Sequence, residues 1–168
     1  MIIAGYPGIG KSVLSQKYWN CIDLDSSTFK VDGDRMLGWE QVYVNVARSL
    51  SKSGRIVCVS THAKVLDELA KVTDDKIVLC FPHSMLRDEW IIRVMFRLEH
   101  SGSLKDQKAL TRVVNNYPDD ILALHKDGRF IHKEIVDINI NLEDIVIDDP
   151  NTFGPLFARK DYICRSET

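Results

Sequence analysis

Ile2-Ile3-Ala4-Gly5-Tyr6-Pro7-Gly8-Ile9-Gly10-Lys11-Ser12 opens the chain almost at once and decides how the rest is read. Gly5 to Ser12 fit the pattern G-x-x-x-x-G-K-[ST] in full. The flanks agree with it. A buried, strand-like run, Ile2 to Ala4, precedes the loop, and a helical stretch from about Lys11 to Trp19 follows it. Glycines let a backbone curl so that successive N–H groups point inward and cradle phosphates. The helix start adds unpaired donors and the positive end of its dipole. In such a loop Lys11 reaches the β- and γ-phosphates of a nucleoside triphosphate, and the Ser12 hydroxyl ligates magnesium. Gly5, Gly8, Ile9, Gly10, Lys11, Ser12 and Val13 are thus the candidate contacts for ATP and Mg2+.

Outward from the loop, short apolar runs alternate with helical patterns. Strands are expected at Cys21 to Leu24, Arg55 to Ser60, Lys76 to Phe81 and Phe130 to Ile138. Helices are expected at Gly38 to Lys52, with Trp39, Val42, Val46 and Leu50 on one face, and at His62 to Val72. A long helix from about Met85 to His100 is followed by another from about Leu104. That one is expected to stop at Asn115-Asn116-Tyr117-Pro118, with a short helix from Asp119 to His125 beyond. Alternation of this kind predicts a parallel sheet covered on both faces. The tail after Pro150 reads equally as an ordered extension or a frayed end.

Magnesium in such proteins is often held by an aspartate ending a buried strand. Here Arg55 to Ser60 runs into Ser60-Thr61-His62, and Lys76 to Phe81 into Pro82. Ile145-Val146-Ile147-Asp148-Asp149 imitates the pattern but comes after the sheet should be complete. The acids sit instead at Asp23 and Asp25, after the second strand, whose end belongs beside the glycine loop. Alternation puts both on one face if the strand continues. One can approach magnesium while the other meets an acceptor hydroxyl. An acidic turn in which Asp25 caps local backbone is the alternative.

A glycine loop with an early D-x-D, and no acid after the third strand, resembles small-molecule P-loop kinases: the nucleoside monophosphate, shikimate and gluconate kinase group. Ile22-Asp23-Leu24-Asp25-Ser26-Ser27-x-Phe29 is similar to phage-encoded nucleotide kinases in particular. The resemblance implies a three-layer α/β fold with a five-stranded parallel sheet of order 2-3-1-4-5, helices on both faces and a helical lid. It places the lid at about 83–105 and a C-terminal extension at about 150–168 of a single domain, 1–168. By position, Asp23 corresponds to the magnesium-associated acid and Asp25 to the acceptor contact. Arg87, Arg93 and Arg97 fall on the lid helix. Arg93 and Arg97 are four apart, a repulsive spacing unless an anion such as a triphosphate answers it; a solvated face is the other reading. Phe29, Lys30, Arg35, Trp39, Tyr43 and Arg48 fall in the acceptor segment. Phe29 and Arg48 are the contacts expected there, Trp39 and Tyr43 read also as core, and His62 is an acceptor contact or a helix cap.

The implied activity is transfer of the γ-phosphoryl of ATP to a nucleotide acceptor, a (deoxy)nucleoside monophosphate. A kinase acting on a hydroxyl of a nucleoside, a sugar or a modified base in DNA is the alternative. For a DNA acceptor, Arg159, Lys160 and Arg165 could add basic charge. A non-catalytic nucleotide-binding module would be expected to lose the D-x-D or the lid cations, and both are present. Composition sets the outer limits. At 168 residues, 45% hydrophobic and 27% charged, the chain suits one self-sufficient domain. A net charge of −2 gives no global pull toward nucleic acid or anionic lipid. No apolar run approaches the roughly 20 residues that cross a bilayer, and the early loop leaves no room for a leader. Cys21, Cys58, Cys80 and Cys164 lack paired spacing. These features point to a cytoplasmic protein.

Overall fold

The structure, a computed structural model, describes residues 1–31, 34–72 and 74–159. The side chains of Lys30 and Arg35, and all of Lys160, Cys164 and Arg165, lie outside the described residues. The sheet consists of β1 (Ile2–Gly5), β2 (Cys21–Asp23), β3 (Ile56–Ser60), β4 (Ile77–Pro82) and β5 (Ile131–Ile135). Its order is 2-3-1-4-5, and every pairing is parallel. Every residue of β1 and β4 is buried. Successive strand residues face opposite ways, so unbroken burial means that both sheet faces are covered.

The cover comes from α1 (Lys11–Lys17), α2 (Trp39–Lys52), α3 (Ala63–Leu69), α4 (Arg87–Ser101), α5 (Leu104–Lys126), α6 (Leu142–Asp148) and α7 (Pro150–Phe153). α1 packs on β2 and α6, α2 on α3 and β3, and α4 on α5. In α2 the buried stripe is Trp39, Tyr43, Val44 and Ala47, while Val42 is exposed, so the face differs from the expected one. The Tyr43 hydroxyl accounts for the rotation: it donates to the Leu24 carbonyl at 2.7 Å and accepts from the Ser60 amide at 3.1 Å.

Two other expectations need correction. α5 does not stop at Asn115–Pro118 but runs unbroken through Pro118. Proline removes a helical hydrogen bond there, yet Tyr117, Ile121 and Leu124 are all buried and the Tyr117 hydroxyl reaches the His83 carbonyl at 2.8 Å. Tertiary packing overrides the local breaker. The strand expected at Phe130 to Ile138 is confined to Ile131–Ile135. Ile145-Val146-Ile147-Asp148 is helical, within α6, which Asn141 and Asp144 start as a reciprocal capping box. The described part of the tail packs on the body: Phe153 is buried, Trp19 stacks on Phe157 at 5.3 Å, and Tyr18 bridges to Ala158.

Parallel strands deliver their carboxyl ends to one edge, the usual place for a ligand crevice. At that edge Gly5 stands across from Ser60, and Asp23 across from Cys58.

Candidate functional site

The loop after β1 is curled. Gly8 and Gly10 hold φ of 88° and 105°, backbone that residues with a side chain rarely adopt. A methyl on Gly8 would also lie 2.9 Å from Val94 of α4, so helix and loop meet without room for a side chain. Trp90 of α4, fully buried, donates its indole N–H to the Pro7 carbonyl at 2.8 Å. From the other side the Leu142 amide of α6 donates to the Ile9 carbonyl at 3.0 Å. The loop is thereby held between two helices.

Lys11 turns back over the loop, and its Nζ donates to the Gly5 carbonyl at 2.6 Å and the Tyr6 carbonyl at 3.2 Å. Burial lowers its pKa to about 8, against the opposing pull of the Asp23 carboxylate. Ser12 donates to Asp23 Oδ2 at 2.6 Å. β2 ends at Asp23, one residue short of the expected Leu24, so strand alternation does not extend to Asp25. Both acids nevertheless face the same space. Asp25 does two things at once: Oδ1 accepts from the Ser27 amide at 2.9 Å, and Oδ2 meets the Lys105 ammonium at 2.7 Å. Burial pushes the Asp25 carboxyl up, but the Lys105 and Ser27 donors outweigh it and hold it below the ordinary range.

Loop, acids and the α4–α5 pair enclose a cavity of about 380 Å³, a size suited to a small ligand. Gly5, Gly8, Ile9, Gly10, Lys11, Ser12, Asp23, Asp25, His62 and Arg97 all line it. His62 stands at the N-cap position of α3 without making a side-chain cap bond, its ring edge-on to Trp39 at 6.4 Å. Arg97 is ion-paired with the buried Asp106.

Other expected residues are not brought there. Arg93 stacks on Trp90 at 4.9 Å and reaches the Ile140 carbonyl at 3.4 Å, because α4 turns that face toward α6. Val13 is not among the lining residues and is exposed on α1. Phe29 packs edge-on against Tyr43 at 5.1 Å, which makes it part of the wall behind the site. Arg48 is drawn away by Asp74 at 2.6 Å and Asp75 at 3.4 Å. Arg87 pairs with Asp88, and Arg159 bonds to α1 backbone rather than to the cavity.

Lys105, Lys108 and Arg112 line the cavity and were not singled out from sequence. Their spacing of i, i+3, i+7 marks one helix face and was readable as such. Arg112 is fixed by Asp120 at 2.7 Å and by the Thr61 carbonyl at 3.1 Å. Thr61 is only 2% exposed, and its hydroxyl, like that of Ser60, is buried without a hydrogen-bond partner among the described residues. Five cationic side chains thus face two carboxylates across one cavity, in a chain whose net charge is −2.

The donor set fits magnesium. One hydroxyl and two carboxylates are hard oxygen ligands, and magnesium is commonly held by one or two carboxylates together with substrate phosphates. Among the described residues, no helix is long and apolar enough to cross a membrane. Fold and site together define an α/β protein with a basic cavity at the carboxyl edge of its parallel sheet. The chain matches no family model, and no curated protein matches it significantly.

Proposed function

We propose that this chain is a P-loop phosphotransferase that moves the γ-phosphoryl group of ATP to a nucleotide acceptor, a (deoxy)nucleoside monophosphate. The observation that carries the reading is the curled glycine loop with Lys11 at its centre, facing a cavity where cations outnumber carboxylates. Lys11 and the loop amides would hold the β- and γ-phosphates, and Ser12 and Asp23 would hold magnesium. Magnesium supplies charge neutralisation on the phosphate oxygens. Arg97, Lys105, Lys108 and Arg112 would stabilise negative charge on the moving group and on the acceptor. In the transfer, an acceptor oxygen forms a bond to Pγ as the bond from Pγ to the β,γ-bridging oxygen breaks, leaving ADP.

The state of Asp25 favours a phosphate acceptor over a hydroxyl. Asp25 keeps the Ser27 amide on Oδ1 at 2.9 Å, and whether its other oxygen meets Lys105 or a divalent cation, the carboxylate stays a weak proton acceptor. A phosphomonoester is already ionised at neutral pH and needs no base. The test is labelled ATP offered with deoxynucleoside monophosphates, nucleosides and DNA, using native protein and Asp25→Asn. Labelled diphosphate supports the reading, and labelled nucleoside or DNA transfers it to the hydroxyl alternative. ATP binding with no labelled product would indicate a nucleotide-binding module instead.

A further inference from the structure

Lys105 stands in a position that helix electrostatics disfavours. It is the second residue of α5, in the first turn, where the helix dipole presents its positive end. Local rules broken in this way are expected at functional positions. What offsets the repulsion is on the opposite wall. The Lys105 ammonium lies 2.7 Å from Asp25 Oδ2 and 3.9 Å from Asp23 Oδ2, and Asp23 Oδ2 also accepts the Ser12 hydroxyl. The three oxygen-bearing groups suited to a divalent cation are therefore already engaged, with one ammonium among them.

Resting on the kinase reading, we infer that Lys105 is an exchangeable counter-ion: it neutralises the D-x-D carboxylates while the cavity is vacant and passes to the phosphate oxygens when a divalent cation and a polyphosphate enter together. Its surroundings suit the exchange. Lys105 is 46% exposed on a flexible stem, whereas the turn that carries it is fixed. Ser103 caps α5 through the Asp106 amide at 3.1 Å, Ser101 donates to Asp106 at 2.5 Å, and Asp106 holds Arg97. The side chain can swing while its helix start stays in place. A divalent cation arriving alone would meet an ammonium it must expel into water. One arriving with a triphosphate gives that ammonium a new partner. Metal and nucleotide binding are then positively coupled through this residue.

The experiment titrates Mn2+ alone, followed by electron paramagnetic resonance, into native protein, Lys105→Met, Lys105→Arg and Lys105→Met/Asp25→Asn. Lys105→Met is expected to bind Mn2+ about tenfold more tightly than native protein, and Lys105→Arg like native. The double variant should lose the gain. Adding ATP should strengthen Mn2+ binding less in Lys105→Met than in native protein. Unchanged or weaker Mn2+ affinity in Lys105→Met overturns the inference, as does a gain that survives removal of the Asp25 charge. Nucleotide affinity of Lys11→Ala, measured alongside, separates the two failures. If Lys11→Ala binds ATP like native protein, the kinase reading falls whatever Mn2+ does. If Lys11 matters and Lys105→Met does not, only the exchange falls.

Discussion

Lys11 is pulled in two directions. Its ammonium is satisfied by two loop carbonyls, yet burial brings its pKa to about 8. A triphosphate alongside would favour the charged form and raise that value. Well below pH 8 the lysine is charged with or without nucleotide, and this group adds no pH dependence. Above about pH 8 the free protein must take up a proton on binding, so affinity falls as pH rises, by up to about tenfold per unit. Calorimetry at pH 9 in buffers of different ionisation enthalpy should register that uptake in native protein, and Lys11→Ala should lack it. Gly8 gives a second residue-level prediction. Gly8→Ala combines a positive φ with a methyl 2.9 Å from Val94, and roughly 2 kcal/mol of stability should be lost in urea denaturation. Gly38→Ala, also at positive φ but with nothing within 4 Å of the added methyl, should cost less. Equal losses would mean that contact with α4 is unimportant.

Among the elements, α4 ties the loop to the rest of the cavity wall. Trp90→Phe keeps an aromatic ring but removes the indole N–H that the Pro7 carbonyl accepts and leaves a void where the larger, fully buried ring packed. Roughly 2–3 kcal/mol of stability should go, together with part of the ATP affinity. Lost stability at unchanged affinity would show that this anchor does not shape the loop. The same helix shows what sequence can and cannot tell. β1, β3 and β4 were legible because buried parallel strands are continuous apolar runs. By contrast β5, Ile131-His132-Lys133-Glu134-Ile135 at the sheet edge, is largely unburied, and its expected bounds are too wide. The loop was legible because its glycines are fixed by backbone geometry. The phase of a helix was not. Arg93 and Arg97 share a face in sequence, but packing on Trp90 sends one behind the loop and the other into the cavity. Arg48 sits in the acceptor segment by position, but Asp74 and Asp75, after α3, hold it elsewhere. Arg48→Ala should therefore leave nucleotide affinity unchanged in the same titrations. Pro118 misled for a related reason: a proline reports a missing hydrogen bond, whereas Tyr117 and Ile121 decide the path. Lys105, Lys108 and Arg112 were visible as a stripe, and only the fold shows that the stripe faces the glycine loop.

At the scale of the whole molecule, charge is unevenly distributed. A net charge of −2 favours no anionic partner, yet one cavity gathers Lys11, Arg97, Lys105, Lys108 and Arg112. Anion binding here should depend on that local field. ATP affinity should fall steadily as salt is raised from about 50 to 500 mM, because screening shortens the reach of partly exposed charges. Affinity that ignores salt would place the nucleotide away from these cations. The most direct test of the whole reading is calorimetric titration of magnesium and ATP into native protein and into Lys11→Ala, with circular dichroism to establish that both are folded. We predict one tight ATP site on the native chain and a loss of at least about a hundredfold in its affinity on removing the ammonium. Native-like ATP affinity in a folded Lys11→Ala protein would contradict it.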